Sequence, residues 1–258
     1  LKKNTDITSR SPSVLKLIKA LSGDDFITLE TACTIHPQAK KYLKHYLKEG
    51  LLEQQKAVAS WHYYRPALHA EQEKASMQII QALGQFQVFT LFGVTGSGKT
   101  EVYLQIMEQV LKQGKQVLVL VPEIGLTPQT ISRFQSRFHC HIALLHSGLN
   151  DSKRLQAWQA AETGKASIVL GTRSAIYTPM PNLGLIILDE EHDLSFKQQE
   201  GFRYHARDVA LYRGHLQQCP VLLGSATPSI DSYALVQQGK MQVLELNQRA
   251  GTALMPKI

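Results

Sequence analysis

Gly93-Val94-Thr95-Gly96-Ser97-Gly98-Lys99-Thr100 follows an apolar run at 88–92 and leads into an amphipathic run at 100–113 that stops at Gly114. The order is strand, glycine turn, helix, and the octapeptide matches G-x-x-x-x-G-K-[ST] in full. Its glycines let successive N–H groups face one point without Cβ clashes, and the helix that begins there adds the positive end of its dipole. Gly93, Thr95, Gly96, Ser97 and Gly98 would therefore cradle a β-phosphate largely with main chain. Lys99 would place charge between the β- and γ-phosphates, and Thr100 would offer its hydroxyl to Mg²⁺, so the expected ligand is a nucleoside triphosphate with its metal.

Outward from that turn, short apolar runs alternate with amphipathic segments, the pattern of βα units and a parallel sheet. Strands are expected at 88–92, 116–121, 142–145, 167–170, 185–188, 221–223 and 242–246, and helices at 100–113, 151–163 and 206–217. Seven strands fit one α/β domain with a doubly wound parallel sheet over residues 65–258. Among them Leu185-Ile186-Ile187-Leu188-Asp189-Glu190-Glu191-His192 runs four apolar residues into acids. In a parallel sheet the strand C-termini share an edge with the phosphate loop. Asp189 would then reach Mg²⁺ through water, and Glu190 could take a proton from the attacking water.

Residues 1–64 read differently. Helical spacing at Val14, Leu15, Leu17, Ile18 and Leu21, a short segment at 28–33, a helix over 38–48 and a strand over 51–59 give the order of a winged-helix module. The third helix carries Tyr42, Leu43, Tyr46 and Leu47 on one face and Lys40, Lys41, Lys44 and Lys48 largely on others, a lysine array suited to a phosphate backbone. Any small three-helix unit would share this pattern. The charge is divided accordingly: residues 1–65 hold eleven Lys or Arg against six Asp or Glu, and residues 66–258 hold seventeen against fifteen. A basic unit beside a nearly neutral one points to an anionic partner such as nucleic acid, though a solvated lysine face gives the same count.

The whole chain has 258 residues, 43% apolar and 19% charged, which excludes disorder, collagen and a disulfide-stapled mini-protein. No apolar run approaches the roughly 20 residues that cross a bilayer, and no signal peptide is visible, so a soluble intracellular protein without a membrane partner is expected. Cys33, Cys140 and Cys219 are odd in number and never spaced C-x-x-C, which argues for three buried or half-buried thiols rather than disulfides or a zinc site.

The Asp189-Glu190-Glu191-His192 series resembles the D-E-x-H signature of superfamily 2 helicases, and other segments fall into that family's order. Val121-Pro122-Glu123-Ile124-Gly125-Leu126-Thr127-Pro128-Gln129 looks like motif Ia, Gly171-Thr172-Arg173-Ser174 like Ib, and Gly224-Ser225-Ala226-Thr227-Pro228 like III. The wording of these segments is similar to one branch, the bacterial replication-restart DNA helicases, across nearly all of residues 66–258. The resemblance implies a RecA-like lobe in which Lys99, Thr100 and Asp189 hold Mg·ATP and Glu190 positions the hydrolytic water. It implies that Ser225, Thr227 and His192 link hydrolysis to DNA. Gln72, in Leu68-His69-Ala70-Glu71-Gln72, resembles the family's adenine-reading glutamine, although His69-Ala70 stands where the family usually shows Asn-Pro; a glutamine on a surface helix is the structural alternative.

The segment 194–207 looks like that branch's aromatic-rich loop. Phe196, Phe202 and Tyr204 could stack on bases while Lys197 and Arg203 meet phosphates, a grip on single strands that reads no sequence. Glu123 and Arg173 would line the same strand path. By resemblance the intact protein would be a 3′–5′ helicase of the bacterial cytoplasm. Its partners would be single-stranded and forked DNA, single-stranded-DNA-binding protein and primosome components. The family continues past Asn247-Gln248-Arg249-Ala250-Gly251 into a second lobe with a cysteine-rich insertion, so zinc is expected only there. An amino-terminal domain that captures a 3′ end would precede Leu1, and the chain reads as an excised piece, inactive or very weak as a helicase alone. Two other readings stay open: another superfamily 2 nucleic-acid translocase, and a winged-helix regulator with a nucleotide-sensing domain.

Overall fold

The computed structural model describes residues 2–3, 36, 38–48, 52–53 and 66–249. The chain divides into two compact units, Leu1–Ser60 and Trp61–Ile258, so the boundary falls four residues before the expected one. In the first unit, β1 (Lys2–Lys3) pairs antiparallel with β2 (Leu52–Glu53), and α1 spans Ala39–Lys48. On α1, Ala39 and Leu43 are buried one turn apart, Tyr42 is half-buried, and Lys41 and Lys44 face solvent. The helices expected near 14–21 and 28–33, most of the strand expected over 51–59, and Cys33 lie outside the described residues.

The second unit begins its described part with α2 (Ala70–Gln81), β3 (Val88–Gly93) and α3 (Lys99–Lys112). There follow β4 (Gln116–Leu120), α4 (Pro128–Arg137), β5 (Ile142–Leu145), α5 (Asp151–Glu162), β6 (Ile168–Gly171) and β7 (Leu183–Leu188). A small antiparallel hairpin, β8 (Lys197–Gln198) with β9 (Tyr204–His205), leads into α6 (Ala206–Gln217). Finally come β10 (Val221–Ser225), α7 (Ile230–Gln237) and β11 (Gln242–Leu246). Seven strands form one parallel sheet in the order β11-β3-β10-β7-β4-β6-β5. All seven were expected, with ends displaced by at most two residues; α2, α4, α7 and the hairpin were not.

Strand residues alternate between two cores, which is why the central strands read as unbroken apolar runs. Val117, Val119, Leu185 and Ile187 pack under Val102, Ile106 and Met107 of α3 and Ile79 of α2. Leu118, Leu120, Ile186 and Leu188 point the other way, toward Ala160 and Ala161 of α5 and Ala206 and Ala210 of α6. Each such leucine or isoleucine contributes about 1.5–3 kcal/mol by its burial. The residues that follow β3, β7 and β10 emerge on the same edge, because all three run parallel. Among the described residues no helix is long and apolar enough to cross a membrane.

Candidate nucleotide site and nucleic-acid interface

The turn after β3 is shaped by glycine where the backbone requires it: Gly96 and Gly98 sit at φ +82° and +80°, and Gly98 caps α3. Side chains other than glycine pay strain there, roughly 1–2 kcal/mol per residue. Lys99 is nearly buried, and its Nζ donates to the Gly93 carbonyl at 2.8 Å while lying 3.8 Å from Glu190 Oε1. Thr95, Gly96, Ser97, Gly98, Lys99 and Thr100 line a cleft of about 680 Å³, with Asp189 and Glu190 across it. Ser97 Oγ is buried against Gly93, with no hydrogen-bond partner among the described residues. Gly93 holds Lys99 from behind and does not line the cleft.

Gln72 does not line it either. Its amide donates to the Ser97 carbonyl at 2.8 Å and its Oε1 accepts from His69 N at 3.1 Å, so it caps α2 and braces the back of the glycine turn. It is 3% exposed, which corrects the surface-helix alternative. The reason is that a buried glutamine must satisfy both ends of its amide locally.

Across the cleft, Asp189 accepts a hydrogen bond from Tyr103 Oη at 2.9 Å. Burial is the main reason that the Asp189 carboxyl titrates above its ordinary range; the hydrogen bond from Tyr103 pulls the other way, Glu190 adds to the rise, and Lys99 offsets it. Burial, and then Asp189 itself, raise the Tyr103 hydroxyl well above its usual value. Thr100 and Asp189 share this cleft and an adjoining one of about 410 Å³. A hydroxyl and a carboxylate are the hard oxygen donors that Mg²⁺ takes, so the residues present fit the metal.

Glu190 is the odd member of the acidic run. It adopts φ +50°, a left-handed conformation that is uncommon for a residue with a Cβ. Its side chain lies between Lys99 Nζ and His192 Nδ1, the latter 3.6 Å from Oε2. His192 Nδ1 lies in turn 2.8 Å from Ser225 Oγ, which accepts from Thr227 N at 3.0 Å. A chain of contacts thus runs from Lys99 through Glu190 and His192 to Ser225 and Thr227. Ser225 is buried and Thr227 exposed.

The residues expected along a strand path separate in the structure. Phe202 is 78% exposed at the hairpin tip, with Arg203 and Lys197 also in solvent. Tyr204 is half-buried, 6.1 Å from the Phe202 ring and edge-on to Tyr177 at 5.0 Å. Phe196 is fully buried in the core beneath α6 and cannot stack on a base, which corrects its assignment. The Arg173 guanidinium donates to the carbonyls of Ser195 and Lys197, both at 2.9 Å, and so staples the start of the hairpin. Glu123 is exposed at the head of a 3₁₀ turn after β4, apart from these contacts. Three residues escaped the sequence reading: Tyr103, Glu191 and Arg207. Only Tyr103 carried a usable signal, being one helical turn beyond Thr100 and on the same face.

The DEAD/DEAH box helicase family profile matches residues 70–236. The chain is 56% identical over 189 residues to the replication restart protein PriA of Haemophilus influenzae, covering 73% of this chain and 26% of that protein. It is 41% identical over 260 residues to PriA of Chlamydia muridarum, covering 99% and 32%. Across eight curated relatives the chain spans between 22% and 38% of their length. Among solved structures it is similar to RecG bound to a three-way DNA junction, at 22% identity and TM-score 0.50 over 82% of this chain and 26% of that one. The DEAD-box helicase Mss116 bound to ssRNA and UDP-BeF matches at 19% identity and TM-score 0.52 over 80% and 45%. These structures share the RecA-like fold.

Proposed function

The chain belongs to the DEAD/DEAH box helicase family, and from that premise we propose that it is the first motor lobe of an ATP-driven DNA helicase that engages stalled or forked DNA to restart replication. The observation that carries the reading is the convergence of Lys99, Thr100, Asp189 and Glu190 on one cleft, with Glu190 joined through His192 to Ser225. The names of the relatives supply the replication-restart setting. Residues 1–60 act as the winged-helix unit, its lysines meeting the phosphate backbone.

In this reading the N–H groups of the glycine turn and the Lys99 ammonium bind the triphosphate. Thr100 and Asp189 would hold Mg²⁺, which would supply charge to neutralise the phosphates. Glu190 orients the attacking water and accepts its proton, and its strained backbone aims the carboxylate into the cleft. His192 and Ser225 pass the state of that carboxylate to Thr227, on the exposed edge. Phe202, Tyr204, Lys197 and Arg203 grip the single strand. The intact protein moves 3′–5′ in the bacterial cytoplasm with single-stranded-DNA-binding protein and primosome components, and its zinc belongs to a second lobe.

The arginine that steadies the γ-phosphate comes from that second lobe. Hydrolysis by these 258 residues alone is then slower by about 10³ to 10⁵. In the intact protein, Lys99→Ala abolishes hydrolysis and leaves fork binding in place, and single-stranded DNA stimulates wild-type turnover more than RNA does. Retained unwinding by Lys99→Ala would remove the glycine turn from the mechanism, and equal stimulation by RNA would move the protein to another branch.

A further inference from the structure

Behind the residues of the acidic run that face the cleft lies a second, fully buried carboxylate. Glu191 Oε1 accepts from Ser229 N at 2.8 Å, and Oε2 accepts from Ser232 Oγ at 2.9 Å and Ser229 Oγ at 3.2 Å. Both serines belong to the first turn of α7, where Ser229 is the N-cap. Arg207, in the first turn of α6, brings its guanidinium to 4.0 Å from Oε2. The same guanidinium donates to Ser229 Oγ at 3.1 Å and reaches Asp208 and Asp231 at 3.0 and 3.5 Å. Glu191 N donates to the Gly224 carbonyl at 2.9 Å.

One side chain therefore fastens three pieces of chain. They are the acidic run, the segment that continues Ser225–Thr227 into α7, and the root of α6, two residues beyond the hairpin strand Tyr204–His205. A carboxylate is costly to bury and is retained where its donors converge; replacing either partner leaves the other uncompensated. Glu191 is also the immediate neighbour of Glu190, so a displacement of the hairpin root or of α7 reaches Glu190 through one peptide bond.

We propose that Glu191 is a positioning residue that, with Arg207, Ser229 and Ser232, makes the hairpin, the 225–232 segment and Glu190 move as one body, and so transmits strand binding to hydrolysis. The inference rests on the DNA-stimulated ATPase reading above. In the intact protein, Glu191→Gln lowers the ratio of DNA-stimulated to basal ATP hydrolysis by about tenfold, within the range of measured coupling energies. Its KM for ATP and its affinity for single-stranded DNA stay within about threefold of wild type, since Glu191 touches neither ligand. Ser232→Ala, which removes a single hydroxyl, shows the same loss in smaller measure and covers the case in which Glu191→Gln fails to fold. Glu191→Gln combined with Arg207→Gln is no worse than either alone, as expected of members of one network.

An unchanged stimulation ratio in both Glu191→Gln and Ser232→Ala overturns the inference, as does a loss confined to the urea midpoint. A wild-type protein whose hydrolysis ignores DNA overturns the functional reading instead, so the two failures are told apart.

Discussion

Gly224 marks the tightest point of the nucleotide site: a Cβ built there would collide with the Tyr103 hydroxyl and stand 3.2 Å from Asp189 Oδ1. A glycine is needed because β10 passes directly beneath the Tyr103–Asp189 hydrogen bond. Gly224→Ala is expected to destabilise the fold by about 1–3 kcal/mol, the usual cost of overpacking, and to weaken Mg·nucleotide binding by displacing Asp189. Combining it with Tyr103→Phe frees the space of the hydroxyl and recovers part of the stability in urea unfolding; a double variant less stable than Gly224→Ala alone would refute the steric account. Burial governs the thiols as well. It pushes Cys140 and Cys219 each up to about 11, so their reactive thiolate forms are scarce near neutral pH and grow as the pH rises toward that value. Iodoacetamide should label both slowly in the native protein at about pH 8 and rapidly once it is unfolded in urea. Fast native labelling would show that these positions open.

The hairpin after the acidic run shows how an element divides labour that its sequence presents as uniform. Phe196, Phe202 and Tyr204 look equivalent as aromatics within a polar stretch, yet one roots the loop, one is exposed at the tip and one lies between. Phe196→Ala is expected to cost about 3–5 kcal/mol of stability with no direct effect on DNA contact. Phe202→Ala should leave the unfolding midpoint alone and weaken single-strand binding by about 1–3 kcal/mol in a fluorescence titration. Reversal of the two phenotypes would put the wrong ring in solvent. The distinction could not be read from sequence because it depends on β8 pairing with β9, two residues each, too short for any period to register. The seven sheet strands were legible because most are buried apolar runs between turn signals and β11 alternates, with Leu244 and Leu246 buried, and α3, α5 and α6 because they fill the gaps. Helix α4 was missed although Thr127 caps it and Pro128 opens it; its mostly polar face hid the period. Lys99, Thr100 and Asp189 were legible as local motifs, whereas Glu191 and Arg207 acquire their meaning from contacts 16 to 41 positions apart in sequence.

At the scale of the molecule, most of the net positive charge and the exposed Phe202 ring belong to different units. The first 65 residues carry most of the net positive charge, while the exposed Phe202 ring of the hairpin belongs to the nearly neutral remainder. Phosphate contacts release counterions and make affinity fall with salt, by about 0.7 in the log–log slope per contact on single strands. Stacking of rings on bases releases none. The two contributions are thus separable by one measurement, the dependence of the dissociation constant on salt concentration. Lys41 and Lys44 are exposed on α1, and converting both to glutamine removes two cations without disturbing buried Ala39 and Leu43. The double variant should bind single-stranded DNA more weakly at low salt, with a slope shallower by up to about 1.4. Phe202→Ala should weaken binding at every salt concentration and leave the slope where it was. If the lysine variant kept the wild-type slope, the basic first unit would not be touching phosphate, and its charge would be a solvated helix face; if Phe202→Ala changed the slope, the hairpin would be gripping backbone rather than bases.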